Sequence, residues 1–339
     1  MKVLIAGDHF VRSDLLSEAL RARVDRPLDT VELTLPWPLT PYGRVAEVDE
    51  ASDAEDDLIA ALPGAEVALT QMGPFTERVL AQADALKLIV CCRGGPVNVN
   101  VAAAAERGVA VAATPGRNAV AAAEHTVALL LGAMRSLPRL HSGVVAGQWR
   151  SDLYAYHECG RELGEATVGL VGYGAIGGRV ARVLRAFGAT VLVADPYTDP
   201  GPEVERVELS ELLRRSDAIS LHARLTPQTR HIIGRAEIDR MRPGAVLVNT
   251  ARGGLLDYDA AADALAEGRL AAAGFDVFPE EPLPQDSRLR DLPNVVMTPH
   301  LAGATRQTAE RAARLAGEAV ADFLAGSSPV GLVEPPTAR

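Results

Sequence analysis

The sequence predicts an α/β protein with two doubly wound parallel-sheet domains. Short apolar runs alternate with amphipathic helical stretches along the chain, which is typical of strands joined by helices. A glycine-rich turn joins one strand to one helix near the middle of the chain. The length of 339 residues suits two domains better than one hydrophobic core. Together these observations predict two parallel sheets, each covered by helices.

Five apolar runs predict the strands of the first domain. They cover residues 3–6, 31–35, 67–70, 88–91 and 109–112, with helices between them, for example over 13–23 and 101–107. The last amphipathic stretch, residues 304–325, has no strand partner of its own, so we expect it to return to this domain. The first domain is therefore predicted to be discontinuous, covering residues 1–113 and 302–339. Its proline-rich tail from Ser327 is expected to be loose.

The second domain is predicted to cover residues 114–301. It begins with a long helical stretch, 119–146, which Pro138 should kink or split because proline interrupts helical hydrogen bonds. One face of this stretch carries small residues, which suits close helix packing. The predicted strands of the domain cover residues 168–171, 190–194, 218–221, 245–249, 271–275 and 295–297.

The glycine-rich turn lies within residues 170–177, LVGYGAIG, and opens a helix predicted over 175–187. Gly172 permits the tight turn, Gly174 lets a pyrophosphate approach the backbone, and Gly177 lets helix and strand pack closely. The turn therefore predicts a Rossmann domain that binds a dinucleotide.

Groups next to this turn refine the prediction. The N–H groups at the start of the helix, at Ala175 and Ile176, are expected to face the phosphate charge. Asp195 ends the next predicted strand, VLVAD. A carboxylate at that place accepts hydrogen bonds from the adenosine ribose and repels a 2′-phosphate. The sequence therefore predicts NAD as the cofactor rather than NADP.

Composition excludes several other classes of partner. The net charge is −10 and no basic run is present, which argues against a nucleic-acid-binding surface. No apolar run approaches the roughly 20 residues that cross a bilayer, and the N-terminal stretch is typical of a first strand rather than an export signal. Cys91, Cys92 and Cys159 do not have metal-ligand spacing. We expect a cytoplasmic protein without a metal ion and without a membrane or nucleic-acid partner.

Three further motifs follow the turn, each at the carboxyl end of a predicted strand, where ligand sites of parallel sheets gather. They are VNTARG at 248–253, FDVF at 275–278 with Glu281-Pro282 shortly after, and MTPH at 297–300. In this order, after the glycine turn, they resemble the D-isomer-specific 2-hydroxyacid dehydrogenase family, which includes phosphoglycerate dehydrogenases and glyoxylate/hydroxypyruvate reductases. The resemblance covers nearly the whole chain. It implies a Rossmann NAD-binding domain inserted into a flavodoxin-like substrate domain.

The resemblance also implies a catalytic set of Arg252, Glu281 and His300. Hydride transfer to or from a 2-hydroxy acid needs a group that takes the hydroxyl proton, and histidine does this best near neutral pH. Glu281 is expected to favour the imidazolium and to fix the ring tautomer. Arg252 offers a planar fork for the substrate carboxylate and can polarise the carbonyl. Glu280 is the competing carboxylate, and Glu281 is preferred because the family places its Glu directly before Pro.

Other positions take their expected roles from the same resemblance. Asp276 resembles the residue that binds the nicotinamide carboxamide. Thr226, Thr250 and Ala251 are expected to approach the cofactor. His222 at a strand end is expected to be structural. His125 in the long helix is expected to be a packing residue.

The predicted substrate side departs from the family pattern. Relatives usually carry a loop like RAGVGxDN, whose backbone amides hold the substrate carboxylate, whereas this chain has RGGPVNVN at residues 93–100. Pro96 has no N–H to donate. Gly94 and Gly95 still permit close backbone approach and are expected to bind substrate. Arg93 is expected either to reach a second anionic group or to be structural.

The sequence leaves more than one function open. The first hypothesis is an NAD-dependent D-2-hydroxyacid dehydrogenase for a small 2-hydroxy or 2-oxo acid, with a polyhydroxy acid of the sugar-acid type as one candidate substrate. The alternative is an NAD(H)-sensing scaffold of corepressor type, which shares this fold and the catalytic set. Formate dehydrogenase is disfavoured because its His pairs with Gln, whereas Glu281 precedes Pro282 here. Relatives form two-fold dimers through the nucleotide domain, so we expect a homodimer that uses the long helix and its small-residue face.

Overall fold

The computed structural model describes residues 1–38 and 41–335. The chain forms two compact units, one of residues 1–118 with 304–339 and one of residues 119–303. The sequence placed the corresponding boundaries at 113/114 and 301/302. Both units contain a parallel β-sheet, and the predicted α/β class with two parallel sheets is confirmed.

The first unit contains a five-stranded sheet in the order β2-β1-β3-β4-β5, which is the flavodoxin-like order. Its strands and helices in chain order are β1 (Lys2–Gly7), α1 (Ser13–Arg21), β2 (Asp29–Thr34), α2 (Glu55–Ala61), β3 (Val67–Thr70), α3 (Glu77–Leu80), β4 (Leu88–Cys91), α4 (Val101–Glu106) and β5 (Ala110–Ala113). Strands β3 and β4 are buried at every position. Both read as continuous apolar runs because helices cover the two faces of the sheet.

The last helix, α11 (Arg306–Leu324), packs against α1 in this unit. Its buried face consists mostly of alanines, with Gly317 among them. A Cβ at Gly317 would lie 2.7 Å from the carbonyl oxygen of Ala19 in α1. Small residues therefore let the two helices approach closely over the sheet.

The C-terminal segment is ordered where the sequence predicted a loose tail. Leu332 forms an antiparallel bridge with Ala112 of β5. The N–H of Ala113 donates to the carbonyl of Gly331 at 2.8 Å, and the N–H of Val333 donates to the carbonyl of Val111 at 2.8 Å. The prediction was wrong because the unpaired edge of β5 offers hydrogen-bonding groups to this segment. The part of the tail from 336 to 339 lies outside the described residues.

The second unit contains a seven-stranded sheet in the order β12-β11-β10-β9-β6-β7-β8. Renumbered within the unit this is 7-6-5-4-1-2-3, the Rossmann order with a seventh strand. Its elements are α5 (Ala119–Met134), α6 (Leu137–Val145), β6 (Thr167–Val171), α7 (Gly177–Ala186), β7 (Thr190–Ala194), β8 (Glu205–Arg206), α8 (Leu209–Arg215), β9 (Ala218–Leu221), α9 (Arg235–Arg240), β10 (Ala245–Asn249), α10 (Tyr258–Ala266), β11 (Leu270–Phe275) and β12 (Val295–Met297). Short 3-10 helices lie at Ser151–Tyr154, Gly253–Leu255 and Arg288–Asp291.

The predicted long helix is split into α5 and α6. The break falls at Ser136, which adopts a left-handed backbone with φ +50°, and Pro138 lies in the first turn of α6. The small-residue face of α5 packs on β10 and β11 within the same unit. Leu129 approaches Gly274 of β11 so closely that a Cβ there would lie 3.0 Å from the Cβ of Leu129. That face is therefore used inside the unit, contrary to its expected place in a dimer interface.

Candidate active site

The glycine turn after β6 has the geometry that its spacing predicts. Gly172 has φ +97°, and a Cβ on it would lie 2.6 Å from the N atom of Ala223. A Cβ on Gly177 would lie 2.6 Å from the carbonyl oxygen of Gly172. The turn can therefore close only with glycine at both positions.

The remaining glycine faces open space. A Cβ on Gly174 would meet no atom of the described residues within 4 Å. Helix α7 begins three residues later, at Gly177, and its N-cap, Ile176, makes no side-chain capping bond within the described chain. Because the first N–H groups of a helix have no intrahelical partner, this end can bind an anion. The open cradle over Gly174, Ala175 and Ile176 fits the pyrophosphate of a dinucleotide.

Asp195 lies directly after β7 and beside this turn. Its Oδ2 accepts the N–H of Tyr173 at 2.7 Å. Its Oδ1 accepts the N–H groups of Tyr197 at 2.8 Å and Thr198 at 3.0 Å. Burial opposes ionisation of this carboxyl, but the three backbone donors outweigh it and lower the pKa of Asp195. A fixed negative charge therefore stands next to the glycine turn.

His300 and Glu281 form a hydrogen-bonded pair in the same unit. Nδ1 of His300 lies 2.7 Å from Oε2 of Glu281. The other carboxylate oxygen of Glu281 accepts the N–H of Phe278 at 2.9 Å, which fixes its orientation. Glu280 is exposed. The structure thus brings the carboxylate before Pro282 to the imidazole, as the sequence predicted.

The hydrogen bond with Glu281 raises the pKa of His300. Burial and the positive charge of Arg252 act in the opposite direction, while the charges of Glu281 and Asp276 add to the increase. Since Nδ1 is bonded to Glu281, Nε2 is the atom that can exchange a proton with a ligand. The imidazole is therefore arranged for acid/base chemistry through Nε2.

Arg252 follows β10 and is exposed. The buried side chain of Asn249 holds its backbone, because Nδ2 donates to the carbonyl of Arg252 at 2.9 Å. The next residue, Gly253, packs so tightly that a Cβ would overlap the carbonyl oxygen of Phe278. This contact fixes the Arg252 segment against the segment that leads to Glu281.

Asp276, predicted to bind the nicotinamide carboxamide, is completely buried. Its Oδ1 accepts the N–H of Leu301 at 2.8 Å and the hydroxyl of Thr298 at 2.5 Å. Its Oδ2 accepts the N–H of Ala302 at 2.8 Å, and its carbonyl accepts the N–H of His300 at 2.8 Å. Asp276 therefore anchors the loop that carries His300, and its contact with a nicotinamide stays a prediction.

The other predicted cofactor residues lie at strand ends of this unit. Thr226 is exposed, and its N–H donates to Oγ1 of Thr229 at 2.8 Å. Both backbone polar groups of Ala251 already have partners, the Oδ1 of Asn249 at 3.1 Å and the Nη1 of Arg252 at 2.7 Å. Binding of a cofactor by the backbone of Ala251 thus stays a prediction. It requires Ala251 to give up one of these two hydrogen bonds or to share it with the cofactor.

His222, expected to be structural, is bonded within its own strand end. Its Nε2 lies 3.0 Å from Oγ of Ser220. Burial lowers the pKa of His222 to about 4, so the ring is neutral at physiological pH. The neutral imidazole of His222 therefore adds no charge beside the glycine turn.

The other predicted substrate residues, Arg93, Gly94 and Gly95, lie in the first unit, after β4. Arg93 is 12% exposed in its side chain, and its guanidinium binds both the carboxylate and the carbonyl of Glu50. This pairing favours the structural alternative for Arg93, and binding of substrate by it stays a prediction. A Cβ on Gly94 or Gly95 would meet none of the described atoms within 4 Å, so their backbone is open to a ligand.

Several residues that hold the site were missed by the sequence analysis. Buried Asn98 links the loop after β4 to the loop after β3, because Nδ2 donates to the carbonyl of Gly73 at 2.7 Å. The hydroxyl of Tyr258 donates to the carbonyl of Val277, and burial raises the pKa of Tyr258. An asparagine in an otherwise apolar or glycine-rich segment was the available signal for Asn98. Tyr258 gave none.

Two other classes of feature are absent from residues 1–38 and 41–335. No group of three or more His, Cys, Asp or Glu side chains is arranged there to hold a metal ion. No helix in those residues combines the length and apolar character needed to cross a bilayer.

Comparison with known proteins identifies relatives of both units. The model of the D-isomer specific 2-hydroxyacid dehydrogenase NAD binding domain matches residues 127–302. D-3-phosphoglycerate dehydrogenase of Mycobacterium tuberculosis (strain ATCC 25618 / H37Rv) is 41% identical over 276 residues, which cover 80% of this chain and 51% of that protein. Glyoxylate reductase of Korarchaeum cryptofilum is 38% identical over 264 residues, covering 77% and 80% of the two chains.

A solved structure extends the similarity to nearly the whole chain. A protein of Thermus thermophilus is 33% identical with a TM-score of 0.81, and the match covers 98% of this chain and 100% of that one. The chain spans about half the length of the phosphoglycerate dehydrogenases that it matches.

Proposed function

The chain belongs to the D-isomer specific 2-hydroxyacid dehydrogenase family, and we propose that it is an NAD-dependent enzyme that interconverts a D-2-hydroxy acid and the corresponding 2-oxo acid. The observation that carries the proposal is the 2.7 Å pair of His300 and Glu281 within the unit that holds the glycine turn. A proton-transfer group is thereby combined with an NAD-binding domain.

His300 acts as the acid/base in this proposal. In the reducing direction the imidazolium gives its Nε2 proton to the oxygen of the substrate's 2-oxo group, and the carbon of that group accepts a hydride. The 2-oxo acid thereby becomes a 2-hydroxy acid. NADH supplies the hydride when it is bound. In the oxidising direction neutral His300 takes the hydroxyl proton. Glu281 holds Nδ1 and stabilises the imidazolium in both directions.

Arg252 binds the substrate in the same proposal. Its guanidinium is exposed, and its charge affects the pKa of His300, which supports a position close to the imidazole. A guanidinium binds a carboxylate through two parallel hydrogen bonds and can also polarise the neighbouring carbonyl. Gly94 and Gly95, which are expected to bind substrate, have a backbone that is open to a ligand.

Asp195 selects the cofactor. Its carboxylate is fixed in the ionised form by three backbone N–H groups beside the glycine turn. A 2′-phosphate would be repelled by this charge, whereas ribose hydroxyls can donate to it. We therefore propose a preference for NADH over NADPH.

A polyhydroxy acid of the sugar-acid type is our candidate substrate. The loop at 93–100 departs from the family pattern, which argues against phosphoglycerate as the substrate. A cytoplasmic location is also proposed, supported by three free cysteines. The matched relatives are named as dehydrogenases and reductases, so the alternative of a corepressor-type NAD(H) sensor, which would bind NADH without turnover, has no support.

We also propose a homodimer formed through the second unit. Helix α6 carries exposed Leu137, Leu140, Val144 and Val145, and exposed Trp149 follows it. All nine residues of α6 are described, and none of them is buried. An apolar helix face of this kind favours a partner surface, and two-fold homodimers are the commonest assembly.

The function is tested by NADH oxidation with a panel of 2-oxo acids, from glyoxylate and hydroxypyruvate to sugar-derived acids, with NADPH in parallel. We expect turnover with NADH and a weaker response with NADPH. His300→Ala should abolish turnover while NADH affinity, measured by fluorescence titration, stays nearly unchanged. Bound NADH without turnover of any member would support the sensor instead. A preference for NADPH would contradict the role of Asp195.

A further inference from the structure

Helix α5 carries two adjacent polar residues that contact two different strand-end loops. Nε2 of His125 lies 2.9 Å from Oγ1 of Thr298, which follows β12 and precedes His300. Oγ1 of Thr126 lies 2.6 Å from Oγ1 of Thr250, which follows β10 and precedes Arg252. One turn of one helix is thus bonded to the loops that carry two of the three proposed catalytic residues, His300 and Arg252.

The direction of each hydrogen bond follows from the number of protons available. The hydroxyl of Thr298 donates to Oδ1 of Asp276 at 2.5 Å, so it can only accept from Nε2 of His125. This requires a proton on Nε2 of His125. His125 therefore donates to Thr298, and Thr298 donates to the buried carboxylate of Asp276.

The hydrogen bond between Thr126 and Thr250 has the opposite direction, because the loop residue donates to the helix residue. The hydroxyl of Thr126 donates to the carbonyl of Ala122 in the preceding turn at 2.7 Å. Its oxygen therefore accepts the hydroxyl proton of Thr250. Both threonines are buried, so the loss of this bond would leave a polar group without water to replace it.

The loop beyond Thr298 is under backbone strain. His300 has φ +55°, a left-handed conformation that is unfavourable for a residue with a side chain. The N–H groups of Leu301 and Ala302 are held by the carboxylate of Asp276. If Asp276 moves, the loop can relax, and the imidazole of His300 loses its position relative to Glu281.

We propose that His125 and Thr126 are positioning residues that set the loops of His300 and Arg252 independently, His125 through Thr298 and Asp276 for His300, and Thr126 through Thr250 for Arg252. The proposal rests on the proposed function. It replaces the sequence-based expectation that His125 is a packing residue, since 26% of its side chain is exposed and its ring is bonded to Thr298.

The test uses pairs of variants that differ in one hydrogen-bonding group. His125→Gln keeps an N–H donor near the position of Nε2, whereas His125→Met has similar length and no donor. Gln and Met have similar helix propensities, so α5 itself is affected equally. Thr126→Ser keeps the hydroxyl, and Thr126→Val keeps the branched shape without it.

The two non-donor variants should differ in their kinetics. For His125→Met we expect kcat to fall about five- to tenfold, the effect of one hydrogen bond, with the KM for the 2-oxo acid little changed. For Thr126→Val we expect the larger change in the KM for the 2-oxo acid, because Arg252 binds its carboxylate. The Gln and Ser variants should retain most of the wild-type values.

A second readout does not depend on turnover. The titration of His300 followed by NMR should shift to lower pH in His125→Met and stay at its wild-type position in His125→Gln. Equal kinetics and equal titration for Met and Gln would overturn the proposal, as would identical effects of the 125 and 126 variants on kcat and KM. If the wild type turns over no 2-oxo acid but the His300 titration still separates Met from Gln, the dehydrogenase proposal fails and the positioning role of His125 is supported.

Discussion

Among the groups around His300, Glu281 has the largest effect on its protonation, because it raises the pKa of the imidazole through a 2.7 Å hydrogen bond. Reduction of a 2-oxo acid requires the imidazolium, so the rate in this direction falls as the pH rises through the pKa of His300. The pair thus sets the upper end of the pH range in which reduction is fast.

We expect Glu281→Gln to move the alkaline limb of kcat/KM for reduction to lower pH and to lower the maximal rate. The amide removes the negative charge that stabilises the imidazolium, so the pKa of His300 falls. The measurement is the pH profile of kcat/KM with NADH as the fixed substrate. Glu280→Gln, at the neighbouring exposed position, is the control and should leave the profile unchanged. An unshifted profile in Glu281→Gln would show that another group controls the proton.

The residues of this pair could be predicted from the sequence, but the residues that hold them in position by hydrogen bonds could not. Glu281 and His300 belong to contiguous motifs with fixed spacing, which carry the resemblance. The bond between His125 and Thr298 joins residues 173 positions apart, and a histidine in a helical pattern is indistinguishable from a packing residue. Arg93 shows the same limitation, because its partner Glu50 lies in a segment without a recognisable pattern.

Among the secondary-structure elements, buried strands were the most predictable. The strands β3, β4, β7, β9, β10 and β12 have the predicted bounds. Most of them are buried, and strands covered on both faces read as unbroken apolar runs. Strand β8 was missed because its two residues, Glu205 and Arg206, are exposed and charged. The segment 331–333 was missed because proline and glycine dominate its surroundings, while its pairing with β5 depends on the edge of a sheet.

The close packing of α11 on α1 gives a prediction about stability. A Gly→Ala change in the middle of a helix usually stabilises by about 1 kcal/mol, because alanine loses less backbone entropy. At Gly317 the new methyl group would lie 2.7 Å from the carbonyl oxygen of Ala19, and overpacking costs about 1–3 kcal/mol. We therefore expect Gly317→Ala to lower the free energy of unfolding, measured by urea denaturation.

Gly132→Ala in α5 is the matched control for this change. The nearest atom to its new Cβ, Cγ2 of Val296, lies 3.9 Å away, which is an ordinary van der Waals distance. We expect this variant to be slightly more stable than the wild type, by about 0.5–1 kcal/mol. If both variants gain stability equally, α11 and α1 can separate without cost, and the close packing is not a determinant of the fold.

At the scale of the whole molecule, the two sheets have the two common doubly wound strand orders. Composition and periodicity predicted parallel sheets, but strand order depends on contacts between distant segments and came from the resemblance to the family. The return of α11 to the first unit was inferred from its lack of a strand, and it is one of the features that sequence pattern indicates directly.

Assembly is the remaining property at this scale, and α6 is the element on which it depends. Its apolar side chains are exposed in the single chain, Val145 by 73% and Val144 by 59%, whereas the small-residue face of α5 is already buried. We expect light scattering after size-exclusion chromatography at micromolar concentration to give twice the chain mass of 35.7 kDa. Replacing both valines with Asp should give a monomer, because two charges in an apolar interface are not compensated.

Phe187→Asp is the control for this experiment, since Phe187 is also an exposed apolar residue, at the end of α7. It should leave the mass of the particle unchanged if α6 forms the interface. A monomeric mass for the wild type would overturn the homodimer. A dimeric mass for Val144→Asp with Val145→Asp would place the interface elsewhere, and the exposed face of α6 would then need a different partner.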